Sequence, residues 1–406
     1  MSKVHFYRET KFRKTEIGEV PEGWEVKRLK ETVKKIKAGG TPKTTVKEYY
    51  ENGYIPFVKI EDLTQTGKYL TQTTLKITEK GLNSSSAWIV PKNSLLLAMY
   101  GSLGEVSINK IEVATNQAIL GIIPNEVELN TEFLYYWFLN FKPKWVIYAK
   151  TTTQANLTKQ IVENIKIPLP PLEEQKAIAK VLKDFDDLIE VIDKKIETYE
   201  RIKKKLMEIY FTRGVFEHKT FKDTEIGRIP EGWEVKKVSS LLEKAISAHG
   251  IKENEIKSKG KYPVVNQGKT FIVGFSDNTD FIINNNLPLV LFGDHTCEVK
   301  YIDFPFIVAG EGVKLLKPLE SVDVLYFYYV LEKFKPKQEQ YRRHFRILKE
   351  KLIPLPPLEE QKEIAKRLKA IDDQIENLKK QKEHLQKVKK KFMDLLLTGK
   401  LRIKLQ

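Results

Sequence analysis

The chain contains the segment IPLPPLEEQKAIAKVLKDFDDLIE at residues 167–190 and a second copy, IPLPPLEEQKEIAKRLKAIDDQIE, at residues 353–376. The two copies are identical at 19 of 24 positions. In each, a Pro-Pro pair favours extended backbone, and the two glutamates that follow place negative charge where the dipole of a starting helix favours it. We therefore predict that a long helix begins directly after each Pro-Pro pair.

Apolar residues continue from both copies at intervals of three and four residues, as along the seam of a coiled coil. In the first helix the stripe extends through Ile202 and Ile209, and Gly214 and Gly399 are typical of helix ends. Residues 172–212 would form a helix about 60 Å long, at about 1.5 Å per residue. We assign the core of a helix pair to Ile178, Leu182, Phe185, Ile189, Ile192, Ile364, Leu368, Ile371, Ile375 and Leu378.

A single apolar stripe on so long a helix needs a partner that covers it. The other copy in the same chain can supply that partner without a second molecule, so we predict an antiparallel, intramolecular coiled coil. Two alternatives remain open. Each helix could pair across a homodimer, or it could pack on its own globular block.

A second repeat shows where each globular block begins. The segment TEIGEVPEGWEVK spans residues 15–27 and TEIGRIPEGWEVK spans residues 224–236, with 11 of 13 positions identical. We expect Trp24 and Trp233 to be core anchors of the two blocks. Short β-rich runs bounded by Gly, Pro or Asn alternate with helical segments in both blocks, although the block sequences differ.

These patterns predict an α+β protein with a pseudo-twofold internal repeat, in which two mixed α/β blocks are separated by two long antiparallel helices. The predicted divisions are a first block at residues 1–166, a long central helix at residues 167–213, a second block at residues 214–352 and a long C-terminal helix at residues 353–406.

The composition favours a polyanionic partner. Lys and Arg number 70 against 54 Asp and Glu, which gives a net charge of +16. No apolar run approaches the roughly 20 residues that a membrane-spanning helix needs, and the N-terminal residues lack the apolar core of a signal peptide. We expect a cytoplasmic protein without a membrane partner. The single cysteine, Cys297, and six scattered histidines provide no ligand pattern for zinc or another metal.

Polar and basic loops between the β-rich runs are candidates for nucleic-acid contact. Amides, hydroxyls and cations of this kind position phosphates or read base edges. The cluster around Arg342 is the most basic, and four cationic or titratable side chains in five residues are costly to place together without an anion. The candidate DNA-binding residues are Lys37, Thr41, Lys43, Tyr100, Ser102, Thr152, Gln154, Asn156, Asn266, Gln267, Lys269, His295, Arg342, Arg343, His344 and Arg346.

No catalytic motif is complete. The sequence Gly268-Lys269-Thr270 resembles the end of a phosphate-binding loop, but Pro263 occupies the position of the required first glycine. Asp294, Glu298 and Lys300 are spaced too closely for a nuclease metal site. The chain also lacks the glycine pattern of a dinucleotide site and an amino-methyltransferase motif. We predict no catalytic residue, no bound metal and no cofactor in this chain.

The order of these elements resembles the specificity subunit of type I restriction-modification systems. Two variable blocks, each opened by TEIGxxPEGWEV and followed by IPLPPLEEQ and a long helix, cover nearly the whole chain. Three phrases of the first block also resemble recurrent target-recognition phrases, and the second block has RRHFRILKEKL where the last of them would stand. They are GGTP at residues 39–42, ATNQA at residues 114–118 and TQANL at residues 153–157.

The resemblance implies a non-catalytic DNA reader. Two target-recognition domains would each bind one half of a bipartite site in double-stranded DNA, and the helix pair would set their spacing. The same helices would dock two modification subunits, which bind S-adenosylmethionine and flip the target adenine. Restriction and translocase subunits would complete the complex.

Two other classes of protein stay open from the residues alone. A structural coiled-coil protein that organises DNA would explain the helices but not two divergent β-rich blocks. A standalone DNA-modifying enzyme would require catalytic motifs that the sequence does not contain.

Overall fold

The computed structural model describes residues 5–149, 156–248, 250–339 and 343–404. The chain divides into two compact units. One unit comprises residues 1–191 together with 381–406, and the other comprises residues 192–380. Each unit therefore contains one β-rich block and a part of both long helices.

The first half of the chain ends with the first long helix. Its strands are β1 His5–Arg8, β2 Phe12–Thr15, β3 Gly18–Pro21, β4 Glu25–Arg28, β5 Val33–Ala38, β6 Ile55–Val58, β7 Tyr69–Leu70, β8 Leu75–Ile77, β9 Ile89–Val90, β10 Leu95–Ala98, β11 Val106–Asn109, β12 Val113–Thr115, β13 Ile119–Pro124 and β14 Lys166–Leu169. Its helices are α1 Ile60–Gln65, α2 Glu79–Asn83, α3 Thr131–Ala149, α4 Lys159–Asn164 and α5 Leu172–Arg213.

The second half repeats this plan. Its strands are β15 Phe221–Thr224, β16 Gly227–Pro230, β17 Glu234–Lys237, β18 Leu242–Ser247, β19 Tyr262–Val265, β20 Gly274–Ser276, β21 Ile282–Ile283, β22 Leu289–Gly293, β23 Val299–Ile302, β24 Phe306–Val308, β25 Val313–Pro318, β26 Leu352–Leu355 and β27 Leu401–Lys404. Its helices are α6 Val324–Phe334, α7 Phe345–Glu350 and α8 Leu358–Leu397.

Each block is built from two sheets with matching strand order. The first block has the sheets β5-β13-β10-β11-β7 and β8-β6-β12-β9, and the second has β18-β25-β22-β23 and β20-β19-β24-β21. The pairs β6–β12 and β19–β24 are parallel, so the loops after these strands leave from the same edge of their sheet. This edge forms the candidate interface described below.

Short antiparallel pairs connect each block to the helices. Strand β4 pairs with β14 and β17 pairs with β26, so the chain enters and leaves each block through adjacent strands. In the first unit, β1 also pairs with β27, which brings the two described ends of the chain together. The α+β prediction is confirmed, and so is the repeat of block and long helix.

The two long helices pair in antiparallel fashion within the chain. In the second unit, Lys203 Nζ lies 2.6 Å from Asp372 Oδ1, and Lys379 Nζ lies 3.4 Å from Glu200 Oε1. The α8 partner number therefore rises as the α5 number falls. In the first unit the rings of Phe185 and Phe392 lie 5.4 Å apart. The predicted intramolecular pairing is thus confirmed.

The pair has an apolar core, but its ends pack against the blocks as well. Ile192, Ile196 and Ile375 form a cluster with Tyr199 and two other α8 residues in the second unit. Ile178 and Leu182 join the core of the first block, and Ile364 and Leu368 join the core of the second. The buried ones are Ile178, Leu182, Ile192, Ile364, Leu368 and Ile375, and the half-buried ones are Phe185, Ile189, Ile371 and Leu378.

The stripe does not continue through Ile202 and Ile209, which are 40% and 45% exposed. This part of the sequence prediction is wrong. Buried Met207 and Phe211 face the core of the second block instead. The reason is that α5 packs there on the second block, whose core residues, together with Ile364 and Leu368 of α8, cover Met207 and Phe211.

A tyrosine of each block holds both long helices through one aspartate. Tyr136 of α3 donates to Asp186 Oδ2 at 2.6 Å, and Asp186 also binds Lys389 of the other long helix. In the second unit, Tyr329 of α6 donates to Asp372 Oδ2 at 2.7 Å, and the same carboxylate binds Lys203. Burial and the neighbouring carboxylates raise the pKa of both phenols well above the ordinary range, so they remain hydrogen-bond donors.

A buried glutamate at the start of each long helix binds the tryptophan at the entry of its block. Trp24 Nε1 donates to Glu174 Oε2 at 3.2 Å, and Trp233 Nε1 donates to Glu360 Oε2 at 2.8 Å. Glu174 also receives two hydrogen bonds from the Arg402 guanidinium, at 2.5 and 2.7 Å. The predicted core anchors Trp24 and Trp233 are each 1% exposed.

Glu360 meets different partners from Glu174. It accepts from His218 at 2.9 Å and from the backbone amides of Val215 and Phe216 at 3.0 and 3.3 Å. Burial alone would raise the pKa of Glu360, but these donors outweigh burial and lower it below the ordinary value. A lowered pKa means that the ionised carboxylate stabilises the folded state, and that this stabilisation is lost as the pH falls through the folded-state pKa.

We expect the substitution Glu174→Ala to lower the free energy of unfolding by about 1 to 3 kcal/mol, because it leaves the buried Trp24 indole without its acceptor and removes one of the two carboxylates, Glu174 and Glu9, that bind the half-buried Arg402 guanidinium. The adjacent Glu173 is exposed and pairs only with Lys176 among the described residues, so Glu173→Ala is the matched control and should cost less than about 1 kcal/mol. Denaturant unfolding of both variants measures the difference. Equal losses would show that the Trp24–Glu174–Arg402 contact does not anchor the helix.

Candidate nucleic-acid interface

Loops of the first block meet where β6 and β12 end. Gly40 N donates to Thr115 O at 3.0 Å, and the Thr41 hydroxyl donates to Gln117 Oε1 at 2.5 Å. A Cβ atom on Gly39 would lie 1.8 Å from Thr115 O, so this close approach of two backbones requires glycine. The segments around residues 37–43 and 114–118 therefore form one surface.

Two predicted cations lie beside this contact. Lys43 is exposed, whereas Lys37 is half-buried with its Nζ 5.8 Å from the centre of the Trp88 ring. Lys35 lies nearer to the same ring, at 4.5 Å. Cation–π contacts orient these side chains without neutralising their charge, so the edge of the sheet at β5 remains positive.

A third segment joins the surface through the backbone. Leu157 N donates to Met99 O at 2.9 Å, which brings Asn156 close to the loop that contains Tyr100 and Ser102. Asn156, Tyr100 and Ser102 are all half-buried. The predicted residues Thr152 and Gln154 lie outside the residues that the structure describes.

The second block builds the same frame with different residues. Ile251 N donates to Val308 O at 3.0 Å, and a Cβ on Gly250 would lie 1.8 Å from that oxygen. His344 N donates to Asp294 O at 2.8 Å, as Leu157 N donates to Met99 O in the first block. Both blocks therefore bring the same loops together.

These matching hydrogen bonds define equivalent positions in the two blocks. Arg343 precedes His344 as Asn156 precedes Leu157, so an exposed arginine stands where the first block has a half-buried asparagine. The basic segment around residue 343 thus occupies the place that the sequence comparison gave it. The chemistry of the surface differs between blocks although its frame is shared.

The side chain of Gln267 is used inside the second block. Its Nε2 donates to Glu311 O at 3.0 Å, and its Oε1 accepts from His295 N at 3.1 Å. The Thr296 hydroxyl donates to Gln267 O at 2.5 Å. These bonds tie the loops around residues 267, 295 and 311 together, so Gln267 shapes the surface, and its predicted contact with DNA stays a prediction.

His344 does not fit the predicted DNA contact. It is 0% exposed, its Nδ1 lies 3.1 Å from Asp294 O, and its Nε2 accepts from Glu339 N at 3.1 Å. A carbonyl at Nδ1 and an amide at Nε2 require the neutral imidazole with its proton on Nδ1. Asp294 Oδ1 accepts from Phe345 N at 2.8 Å, so His344 and Asp294 together hold the start of α7.

The outer surface of the second block carries free cations. Arg343, Arg346 and Lys269 are exposed, and none of them forms an ion pair with a residue that the structure describes. Asn266 and His295 are half-buried beside them, and Asn266 Oδ1 accepts from Gly268 N at 2.9 Å. Arg342 lies outside the described residues. The arrangement suits a phosphate backbone.

Sequence reasoning missed Lys300 as a part of this site. Lys300 is 5% exposed, and its Nζ donates to Asn266 O at 2.8 Å and to Thr270 O at 2.7 Å. Burial lowers the pKa of this ammonium to about 8. The available signal was the alternation of strand β23, which places Lys300 on the same face as fully buried Ile302.

Within the described ranges, no group of three or more His, Cys, Asp or Glu side chains is arranged to hold a metal ion. No helix in the described part of the chain combines the length and apolarity that crossing a bilayer requires.

Comparisons with known proteins agree on one family. A family model described as the type I restriction modification DNA specificity domain matches residues 21–201 and 230–387. The type I restriction enzyme MjaVIII specificity subunit of Methanocaldococcus jannaschii is 37% identical over 99% of this chain and 98% of its own length.

Two solved structures share the fold. The type I restriction-modification S subunit from M. genitalium has a TM-score of 0.58 at 17% identity, covering 92% of this chain and 96% of its own. A chain from a study of complex assembly and conformational transition of the type I restriction-modification system has a TM-score of 0.53 at 18% identity, covering 94% and 99%.

We expect Gly39→Ala and Gly250→Ala each to lower the free energy of unfolding by about 1 to 3 kcal/mol or more, because the new methyl group would displace a neighbouring backbone carbonyl. Gly23→Ala and Gly232→Ala are matched controls, since nothing lies within 4 Å of the Cβ position at either residue. Thermal unfolding measures the loss of stability in each of the four variants. Control-like stability of Gly39→Ala and Gly250→Ala would contradict the close loop packing.

Proposed function

The chain belongs to the type I restriction-modification DNA specificity family, and from this premise we propose that its two blocks each read one half of a bipartite site in double-stranded DNA. The observation that carries the proposal is the shared frame with different surface residues. Asn156 in one block and Arg343 in the other occupy equivalent positions beside equivalent loops. A conserved frame places side chains, and different side chains recognise different bases.

The polar and basic residues of the surface would have two roles, contact with phosphates and contact with bases. Lys43, Lys269, Arg343 and Arg346 are suited to phosphates, because they are cationic and exposed. Half-buried Tyr100, Ser102, Asn156, Asn266 and His295 are suited to base edges or to positioning, because their neighbours limit their rotation. Gln267 and His344 would hold the frame.

We further propose that the chain is non-catalytic and binds no cofactor of its own. Adenine methylation would be carried out by two modification subunits, which would hold S-adenosylmethionine, and restriction and translocase subunits would complete the assembly. Because this complex would act on cellular DNA, we propose that the chain functions in the cytoplasm.

An exposed apolar face of α5 supports docking of the modification subunits. In the first unit, Leu188 and Val191 are both 47% exposed, and in the second unit Ile202 and Ile209 are 40% and 45% exposed. Ile202 and Ile209 are seven residues apart, which places them on one face of α5 in the second unit. A helix with such a face is suited to packing against helices of a partner.

The proposal that each block reads one half-site can be tested by exchange of one block. Residues 238–351 lie between the paired strands β17 and β26, so their replacement by the corresponding segment of another family member leaves the entry strands and Trp233 in place. We expect the methylated sequence to change in one half-site only, and exchange of residues 29–165 to change the other. Methylome sequencing reads the result, and a change of both half-sites by either exchange would contradict the proposal.

We also propose that the length of the helix pair sets the number of unspecified bases between the half-sites. Four residues inserted after Thr198 and four after Leu378, at the level of the Glu200–Lys379 ion pair, would add about 6 Å and about 40° of rotation. One or two base pairs add a similar length and twist, at about 3.4 Å per step and about 10 pairs per turn.

The methylated sequence should therefore gain one or two unspecified bases between unchanged half-sites. The control substitutes exposed Lys195, Glu197 and Thr198 of α5 without a change in length, so that Ile196 and the rest of the apolar cluster stay in place. Methylation at the original spacing by the lengthened chain would assign the spacing to another part of the complex.

A further inference from the structure

Lys300 is a buried cation that holds both ends of one recognition loop. It extends from β23 beneath residues 266–270, where its Nζ donates to Asn266 O at 2.8 Å and to Thr270 O at 2.7 Å. Its exposed fraction is 5%, so it cannot itself contact DNA. The single side chain therefore closes a five-residue loop from below.

This arrangement costs stability. No ion pair joins Lys300 to a described residue, and the more distant charge of Glu298 offsets the cost of burying the ammonium only in part. The lowered pKa of Lys300 reflects the same burial. Packing alone would be served by a methionine, which has a similar length and no charge. The carbonyl oxygens of Asn266 and Thr270 explain why the residue is a lysine, because they need a hydrogen-bond donor and an apolar side chain has none.

The remaining contacts of the loop point the same way. Gln267 is fixed through its side chain and its carbonyl oxygen to residues 295, 296 and 311. Asn266 and Lys269 are left at the surface, where the proposed DNA contact would be made. The backbone of the loop is thus held from below and from one side, while Lys269 is exposed and half-buried Asn266 accepts from Gly268 N within the loop.

The geometry points to Lys300 as a positioning residue, which fixes the conformation of residues 266–270 and thereby determines base discrimination at the half-site read by the second block. This inference rests on the proposed function. The first block offers an internal comparison, because the strand registers place Ser107 at the equivalent position, and Ser107 Oγ donates to Gly67 O at 3.1 Å. The support of a loop by a buried lysine is therefore specific to the second block.

The experiment compares Lys300→Met with Lys269→Ala in the complete complex with modification subunits. DNA duplexes with a substituted base in one half-site are tested against the intact site, separately for each half-site, and the salt dependence of binding is recorded. The half-site of the second block is identified by the exchange of residues 238–351.

Lys300→Met should reduce discrimination at the second block's half-site by about tenfold, the order of one mismatched base. Discrimination at the other half-site and the salt slope should not change. Lys269→Ala should retain discrimination at both half-sites. Its slope of log affinity against log salt concentration should be smaller by about 0.9, because one phosphate contact is lost. A general structural defect would not affect one half-site alone.

Wild-type discrimination by folded Lys300→Met, or an equal loss at both half-sites, would overturn the inference. Lys300→Gln decides the case if the methionine variant does not fold, because it fits the same space and keeps an amide donor within reach of one carbonyl. Partial loss of base discrimination at the second block's half-site supports the positioning role of Lys300, and full discrimination there overturns it. If the wild-type complex discriminates at neither half-site, the proposed function itself fails.

Discussion

The rest of the structure depends on a buried carboxylate at the start of each long helix. Glu174 and Glu360 accept a hydrogen bond from the indole of the tryptophan that opens the corresponding block. A buried carboxylate is tolerated only where donors surround it. One interaction therefore joins the sequence that begins each helix to the sequence that begins each block, and both of its partners recur in the two repeats.

The glutamine that follows each of these glutamates extends the same junction. Gln175 and Gln361 bind the carbonyl of the first proline of the Pro-Pro pair, at 2.9 and 2.8 Å, and accept from the backbone of residues 130 and 323, both at 2.9 Å. These contacts set the angle at which the helix leaves its block. Farther along, Asp186 and Asp372 join a block tyrosine to a lysine of the other helix.

This division of roles explains how one frame can carry two surfaces of different chemistry. The helix starts and their tryptophans carry buried polar contacts, in which a change of one partner leaves the other unsatisfied. The loops at the edge of each block tie to one another through backbone atoms and close glycine contacts, so their side chains can change without loss of the frame. In the second block that freedom has produced a surface supported by Lys300, Gln267 and His344 instead of the residues of the first block.

The sequence alone determined the long helices, their start and end, the repeat and the mixed α/β class, because those features rest on local signals: proline pairs, capping glycines and apolar periodicity. It also identified the loops that we propose contact DNA. It could not assign roles within them, since burial depends on residues distant in the chain. His344, basic by sequence, is buried because its two ring nitrogens bind the carbonyl of Asp294 and the backbone amide of Glu339. Ile202 and Ile209 fit the helical stripe, yet only the packing of α5 on the second block decided that Met207 and Phe211 would be buried in their place. Lys300 shows the same limit, because the cost of burying its charge is offset by two carbonyl oxygens some 30 residues away, and only the tertiary structure brings them together.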